Sequence, residues 1–169
     1  MKSGKLVVNA SPIISLARIG CADFLLRLHD QLVVPKGVFQ EITAHKEADQ
    51  AVEWLKANNY KEIVRSVEVP AAISEWNLGQ GESQVIAFAF QNREFAAAID
   101  DRAAKKCAAV FGISISGTIS IIIKAKKMGL TPNVEPLLLA LRSNGFRVSD
   151  RILMSALQIV EEGNYASQY

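Results

Sequence analysis

The chain has 169 residues, of which 50% are hydrophobic and 21% charged, and this composition supports the core of one ordinary domain and excludes disordered and fibrous classes. With 19 basic residues against 17 acidic ones the net charge is +2, which excludes a highly basic nucleic-acid wrapper but permits a local basic face. Two cysteines and two histidines without ligand spacing argue against a disulfide framework or a zinc site, and we expect both cysteines to be buried. No signal peptide and no run of about 20 apolar residues is found, so we expect a cytoplasmic protein.

Taken in chain order, the predicted elements alternate between short β-branched strands and amphipathic helices, which is the pattern of βαβ units. The first strand is predicted at Lys5–Val8, and Ser11 before Pro12 predicts a helix N-cap. Further strands are predicted at 31–34, 62–66 (or to 69), 96–99 and 113–116. Helices are predicted at 13–18, 22–28, 36–44, 48–57, 82–91, 102–111, 119–128, 134–143 and 150–161. The sequence thus predicts one α/β domain over residues 1–169, a three-layer α/β/α fold with a central parallel sheet of four to five strands, in which 131–169 form a helical C-terminal extension.

Polar residues collect where the predicted strands end, and in parallel α/β sheets ligands bind outside those carboxyl ends. The residues in question are Asn9, Ser11, Asp100, Asp101, Ser116 and Thr118. Ser11 and Thr118 are equally explained as N-caps, and Asp101 as an N-cap or a first-turn acid. Asp100 follows a fully apolar strand, where a carboxylate needs a hydrogen-bond donor, a charged partner or a metal, so a functional role is favoured.

Two glutamates extend this set of candidates. Glu41 borders the apolar stripe of the helix after the second strand, and a boundary glutamate with a buried stem is the structural alternative. Glu82 opens the mid-chain helix, where the helix dipole favours an acid whatever its function. Together with Asp100, Asp101 and Asn9 they predict a cluster of oxygen ligands for Mg²⁺ or Mn²⁺, and hence metal-assisted phosphodiester hydrolysis.

Two other phosphate chemistries fit the sequence poorly. The spacing from Gly112 to Gly117 is that of a phosphate-binding loop, but Thr118 stands where that loop needs lysine. A receiver domain needs an acidic pair after the first strand, where this chain offers Asn9. Basic residues at 102, 105 and 106, and at 124, 126 and 127, are either phosphate-binding faces or solvated helix surface.

Six segments carry a resemblance to a known family. They are residues 7–20, 33–42 (with Val-Pro-Lys-Gly-Val-Phe-Gln-Glu), 78–87 (with Leu-Gly-Gln-Gly-Glu-Ser), 98–104 (with Ala-Ile-Asp-Asp-Arg), 116–118 (Ser-Gly-Thr) and 145–150 (Gly-Phe-Arg-Val-Ser-Asp). In their order and spacing they resemble the PIN domain, a family of metal-dependent nucleases, and in particular the subgroup called domain of unknown function 3368.

The resemblance implies a PIN-like fold with a Mg²⁺ or Mn²⁺ site at the carboxyl edge of the sheet, and ribonuclease activity. It implies catalytic acids at Glu41, Glu82 and Asp100. Further roles assigned to residues of this sequence are metal binding by Asn9, Glu82, Asp100 and Asp101, and substrate binding or positioning by Ser11, Thr118, Arg102 and Lys105. Many PIN proteins are toxins of toxin–antitoxin pairs, so an RNA substrate, an antitoxin partner and a homodimer are expected, with no membrane partner.

One position departs from the family pattern. The first metal-binding aspartate of the family falls on Asn9, whose amide oxygen still coordinates cations but removes one negative charge from the site. The alternative function is therefore a non-catalytic PIN-like module that binds RNA or protein through a weakened metal site.

Overall fold

The central sheet is built from four parallel strands. The computed structural model describes residue 2 and residues 4–161, and in this part of the chain the strands are β1 (Lys5–Val8), β2 (Gln31–Pro35), β3 (Val64–Arg65) and β4 (Phe95–Ala98). They lie in the order β3-β2-β1-β4. β1 occupies the middle of the sheet, paired with β2 on one side and with β4 on the other. The predicted α/β fold with a parallel sheet is confirmed.

Helices cover the sheet and account for most of the remaining described residues. Their bounds are α1 (Ala10–Arg18), α2 (Asp23–Leu28), α3 (Lys36–Ala44), α4 (Asp49–Ala57), α5 (Tyr60–Ile63), α6 (Ala71–Ser74), α7 (Gln80–Gln91), α8 (Arg102–Val110), α9 (Thr118–Lys127), α10 (Glu135–Ser143) and α11 (Asp150–Ile159). The α7 helix packs on β1, β2 and β4 and contacts α3 and α8, whereas α9 contacts α1, α2 and α11. Within the described ranges, no helix combines the length and the apolar character that crossing a membrane requires.

The strands are continuous apolar runs because helices bury them on both faces. Leu6, Val7 and Val8 of β1 are completely buried, as are Ala97 and Ala98 of β4. Small alanines in β4 let α7 approach closely. Cys107 of α8 and Cys21 are both buried. The sheet centre therefore contains no polar side chain, and polar groups begin where β1 and β4 end.

The predicted fifth strand is reduced to a single parallel bridge between Ala97 and Ile115. Two backbone hydrogen bonds support it, one from the amide of Ala97 to Ser114 and one from Ser116 back to Ala97. The segment lies between Gly112 and Gly117, and within it only Ile115 is bridged to β4. Residues 162–169 of the predicted C-terminal extension lie outside the described residues, and its described helices, α10 and α11, pack on α1 and α9.

The helix start after β1 differs from the prediction. α1 begins at Ala10 with Asn9 in the N-cap position, so Ser11 lies inside the first turn and is not the cap. β1 leads directly into the helix, and Pro12 is tolerated as the third helical residue because amides of the first turn need no partner within the helix.

Several helices end on a side chain that satisfies the carbonyl four residues earlier. Asn58, Asn92 and Asn144 each donate Nδ2 to such a carbonyl at 2.8–2.9 Å. His29 does the same for Leu25 through Nδ1 at 2.9 Å, and since a carbonyl only accepts, Nδ1 carries the proton. Burial lowers the pKa of His29, the nearby charge of Lys124 adds to this, and the hydrogen bond to Leu25 and the charge of Asp30 oppose it.

Candidate functional site

Asn9 and Asp100 emerge side by side from the two neighbouring strands in the sheet centre. Val8 pairs with Ala98, and the amide of Asn9 donates to the carbonyl of Ala98 at 3.1 Å. Both side chains line a cleft of about 900 Å³ at the carboxyl edge of the sheet. The structure brings six of the predicted site residues to this cleft beside these two: Ser11, Glu82, Asp101, Arg102 and Lys105 line it, and Thr118 lies behind Asp100.

The Asp100 carboxylate is held by hydroxyl and amide donors. Thr118 donates its amide to Oδ1 at 2.9 Å and its hydroxyl to Oδ2 at 2.6 Å, and Ser11 donates its hydroxyl to Oδ2 at 3.5 Å. Thr118 is completely buried, and the N-cap of α9 is Gly117. The N-cap explanation for Ser11 and Thr118 is thus wrong, because both hydroxyls are directed at Asp100 and fix its orientation.

Asn9 carries a buried oxygen without a partner. The residue is 4% exposed, and its side chain does not cap α1 although it occupies the N-cap position. Oδ1 accepts no hydrogen bond from any described residue. Leaving such an acceptor unsatisfied destabilises a fold by about 1–3 kcal/mol, so this oxygen is available to an electrophilic ligand.

Glu41 meets Asn9 across a glycine. A β-carbon added at Gly81, the second residue of α7, would lie 2.8 Å from Oε2 of Glu41 and 3.2 Å from Oδ1 of Asn9. The two oxygens therefore face one small space that the absence of a side chain at Gly81 keeps open. A hydrogen bond of 2.7 Å from the amide of Gly37 to Oε1 of Gln84 joins α3 to α7 and maintains this arrangement.

The electrostatics at Glu41 combine burial with the charge of a second carboxylate. Burial raises the pKa of Glu41, the negative charge of Glu82 raises it further, and His45 acts in the opposite direction. The repulsion between two neighbouring carboxylates is relieved when a proton or a cation binds to one of them.

Glu82 caps a helix start and lines the cleft, and its catalytic and metal-binding roles stay predictions. Its Oε2 accepts the amide of Gly79 at 2.9 Å and so caps the start of α7, and its side chain also lines the cleft. Asp101 lines the cleft as well, but its Oδ1 accepts the amide of Ala104 at 2.9 Å, so it is the N-cap of α8. Metal binding by Asp101 stays a prediction.

Positive charge enters the cleft from α8. Arg102 and Lys105 line it, and a β-carbon at Gly117 would lie 3.1 Å from Oδ1 of Asp100 and 3.8 Å from Nζ of Lys105. The ammonium and the carboxylate thus face the same space. Lys106 does not line the cleft, and neither does the predicted basic group on α9, of which Lys124 lines a separate pocket of about 210 Å³.

Ser116, which we expected at the site edge, lines that smaller pocket too, beside the amino ends of β1 and β4. Four residues at the site are not predicted by the sequence: Gly81 and Gly117, which keep the space beside the oxygens open, and Phe146 and Arg147, which also line the cleft. Gly145-Phe-Arg belongs to a segment that carries the family resemblance, but the sequence alone assigns it no role. The signal that could have indicated one is an aromatic residue beside an arginine in a glycine turn between two helices.

The donor set is mixed. Among the described residues, no three His, Cys, Asp or Glu side chains form a group able to hold a metal ion by themselves. Asn9 supplies an amide oxygen where a purely acidic group would have a third carboxylate.

A family model described as a PIN domain matches residues 5–162. No curated protein and no solved structure matches the chain.

Proposed function

The chain belongs to the PIN-domain family, which has a nuclease-type fold, and on that premise we propose that it is a metal-dependent ribonuclease hydrolysing phosphodiester bonds of single-stranded or structured RNA. One observation carries the proposal: the buried, unpartnered Oδ1 of Asn9 shares a cleft with the carboxylates of Glu82 and Asp100. A built-in oxygen acceptor without a donor is explained most simply by a cation that binds there.

The residues present fit Mg²⁺ or Mn²⁺. Both ions prefer hard oxygen ligands, and Mg²⁺ keeps several waters and needs one or two carboxylates from the protein. Asn9, Glu82 and Asp100 would hold the ion, and each carboxylate retains lone pairs beyond those used by its hydrogen bonds. When bound, a divalent ion would supply an activated water and charge neutralisation for the phosphodiester.

The other side chains of the site orient Asp100, bind phosphate and accept a proton. Thr118 and Ser11 hold Asp100 in one orientation, which preorganises the site. Arg102 and Lys105 bind the phosphate that the carboxylates would otherwise repel. Oε2 of Glu41, whose pKa is raised, is suited to accept a proton from the attacking water.

The test is cleavage of a labelled RNA by the purified protein with Mn²⁺, with EDTA, and with Asp100→Asn in Mn²⁺. We expect EDTA to abolish cleavage and Asp100→Asn to lower its rate on the order of 100-fold. Asp30→Asn is the matched control, since Asp30 is exposed and lies before β2, away from the cleft. Cleavage that survives both EDTA and Asp100→Asn would contradict the proposal.

A second candidate function is a non-catalytic PIN-like module that binds RNA or protein. Asn9 favours it, because an amide in place of the expected acid lowers the charge that attracts a cation, and Lys105 lowers it further. This candidate predicts no turnover of wild-type protein at any Mn²⁺ concentration. Activity gained by Asn9→Asp would then show that the missing charge alone separates binder from enzyme.

The biological role we propose is that of a toxin from a toxin–antitoxin pair, homodimeric and held inactive by an antitoxin protein. This part follows from the family resemblance. Induced expression in bacteria should arrest growth, and expression of Asp100→Asn should not; equal growth of the two cultures would contradict a toxin role.

A further inference from the structure

The turn between α10 and α11 is a rigid element of the cleft. Gly145 has φ +87°, a left-handed conformation that favours glycine, and Phe146 returns its amide to the carbonyl of Leu141 at 3.0 Å. Arg142 clamps the other side of the turn, since Nε donates to the carbonyl of Val148 at 2.8 Å and Nη2 pairs with Asp150 at 3.0 Å. The position of Phe146 and Arg147 is therefore set before any ligand arrives.

Neither side chain has a hydrogen-bonding, ionic or aromatic partner in the described part of the chain. Phe146 is half-buried and packs against the hydrophobic core, and its ring contacts no other aromatic ring in the described part of the chain. Arg147 is exposed and makes no side-chain hydrogen bond or ion pair with residues 4–161. Both line the same cleft as Asp100.

Phe146 and Arg147 form one wall of the cleft, and the chemistry of this wall suits an unpaired nucleotide. An aromatic face stacks on a base, and a guanidinium binds a phosphate in a bidentate manner. Apolar side chains complete the wall, namely Ile115, Ile119 and Ile152, which tolerate any base because they offer no hydrogen bonds. A duplex hides its base faces in the stack and cannot use an aromatic platform.

We propose that Phe146 is a base-stacking platform and Arg147 a phosphate clamp, and that together they position one unpaired RNA nucleotide next to the acidic edge. This rests on the proposed function, because it assumes that the cleft receives RNA. The positive charges of Arg102 and Lys105 then track the backbone from the clamp toward Asp100.

The experiment measures binding without cleavage. Affinity for a fluorescein-labelled oligouridylate 12-mer is followed by fluorescence anisotropy in EDTA over a salt series. We expect Phe146→Ala and Phe146→Leu to weaken binding about tenfold, since stacking is lost in both, and Phe146→Tyr to bind like wild type. Arg147→Ala should weaken binding and lower the slope of log K against log salt by about 0.7.

Two matched controls lie outside the cleft. Trp76→Ala removes an exposed aromatic ring and Lys106→Ala an exposed cation of α8, and neither should change affinity. A 12-base-pair RNA duplex serves as the second ligand, and Phe146→Ala should leave its affinity unchanged. Far-UV circular dichroism checks folding, and if Phe146→Ala does not fold, Phe146→Leu and Arg147→Ala decide.

Wild-type affinity in Phe146→Leu, or an unchanged salt slope in Arg147→Ala, overturns the inference. The proposed function is judged separately, by cleavage in Mn²⁺. If wild type cleaves and the wall variants bind normally, only the inference fails. If the wall variants bind weakly and wild type cleaves nothing, the inference stands and the ribonuclease proposal fails.

Discussion

Replacing Asn9 by leucine tests the central feature of the site, the buried oxygen without a donor. Leucine has nearly the same shape as asparagine but no acceptor, and position 9 is 4% exposed. Since an unsatisfied buried acceptor destabilises the folded state by about 1–3 kcal/mol, Asn9→Leu should raise the free energy of unfolding of the metal-free protein by that amount.

The same substitution should remove the response to metal. Wild-type protein at a Mn²⁺ concentration of 100 times Kd gains about 2.7 kcal/mol, because the ion binds the folded state alone. The variant has lost one donor and should gain much less. The difference in free energy of unfolding between Asn9→Leu and wild type should therefore change sign, or nearly vanish, between EDTA and Mn²⁺.

Urea unfolding followed by circular dichroism measures both effects in one pair of titrations. Asn92→Leu is the matched control, since Asn92 is half-buried but its Nδ2 donates to the carbonyl of Phe88 at 2.9 Å. That control should lose about 0.5–1.5 kcal/mol and keep the full Mn²⁺ shift. If Asn9→Leu is less stable than wild type in EDTA, or keeps the Mn²⁺ shift, the assignment of Oδ1 as a metal ligand is wrong.

Three further predictions concern neighbouring residues. Thr118→Val removes the buried hydroxyl that donates to Asp100 at 2.6 Å and should lower the free energy of unfolding by about 1.5–3 kcal/mol. Thr118→Ser keeps a hydroxyl donor and should retain most of the wild-type stability in the same urea titration. Gly81→Ala gains up to about 1 kcal/mol of helix propensity, but its methyl group fills the space between the oxygens of Glu41 and Asn9. Calorimetry should therefore show weaker Mn²⁺ binding without a matching loss of stability. Unaltered Mn²⁺ binding would refute this. His29 has a lowered pKa, so protonation below pH 6.5 favours the unfolded state and stability should fall as the pH drops from 7 to 5. His29→Asn can keep the hydrogen bond to Leu25, as the asparagine C-caps do, and should flatten that pH dependence; a slope equal to that of wild type would count against it.

The sequence was sufficient to predict the sheet and the meeting of residues from its strands. The bounds Lys5–Val8 and Lys36–Ala44 agree with the structure, since apolar runs and Pro35 mark them sharply. Because β1 and β4 are parallel neighbours, the polar residues that follow them, Asn9 and Asp100, had to share one edge.

Other parts of the site depend on approaches in space that no local pattern reveals. Gly81 and Gly117 look like ordinary helix-start glycines, and their importance lies in oxygens from distant segments that lie about 3 Å from where a β-carbon would stand. Thr118 has the sequence features of an N-cap, yet its burial against Asp100 gives its hydroxyl a different acceptor. In both cases tertiary packing overrides a local propensity.

The pairing of β1 with β4 also bears on how this protein can diverge in evolution. The spacing between Asn9 and Asp100 is set by a buried strand register, so surface loops such as 45–47 can lengthen or shorten without moving that pair. Glu41 and Glu82 lie on α3 and α7, helices that the bond between Gly37 and Gln84 joins to each other and that pack on the strands without sharing their hydrogen-bond ladder. Small helix shifts therefore reposition Glu41 and Glu82, whereas the strand register keeps Asn9 and Asp100 together.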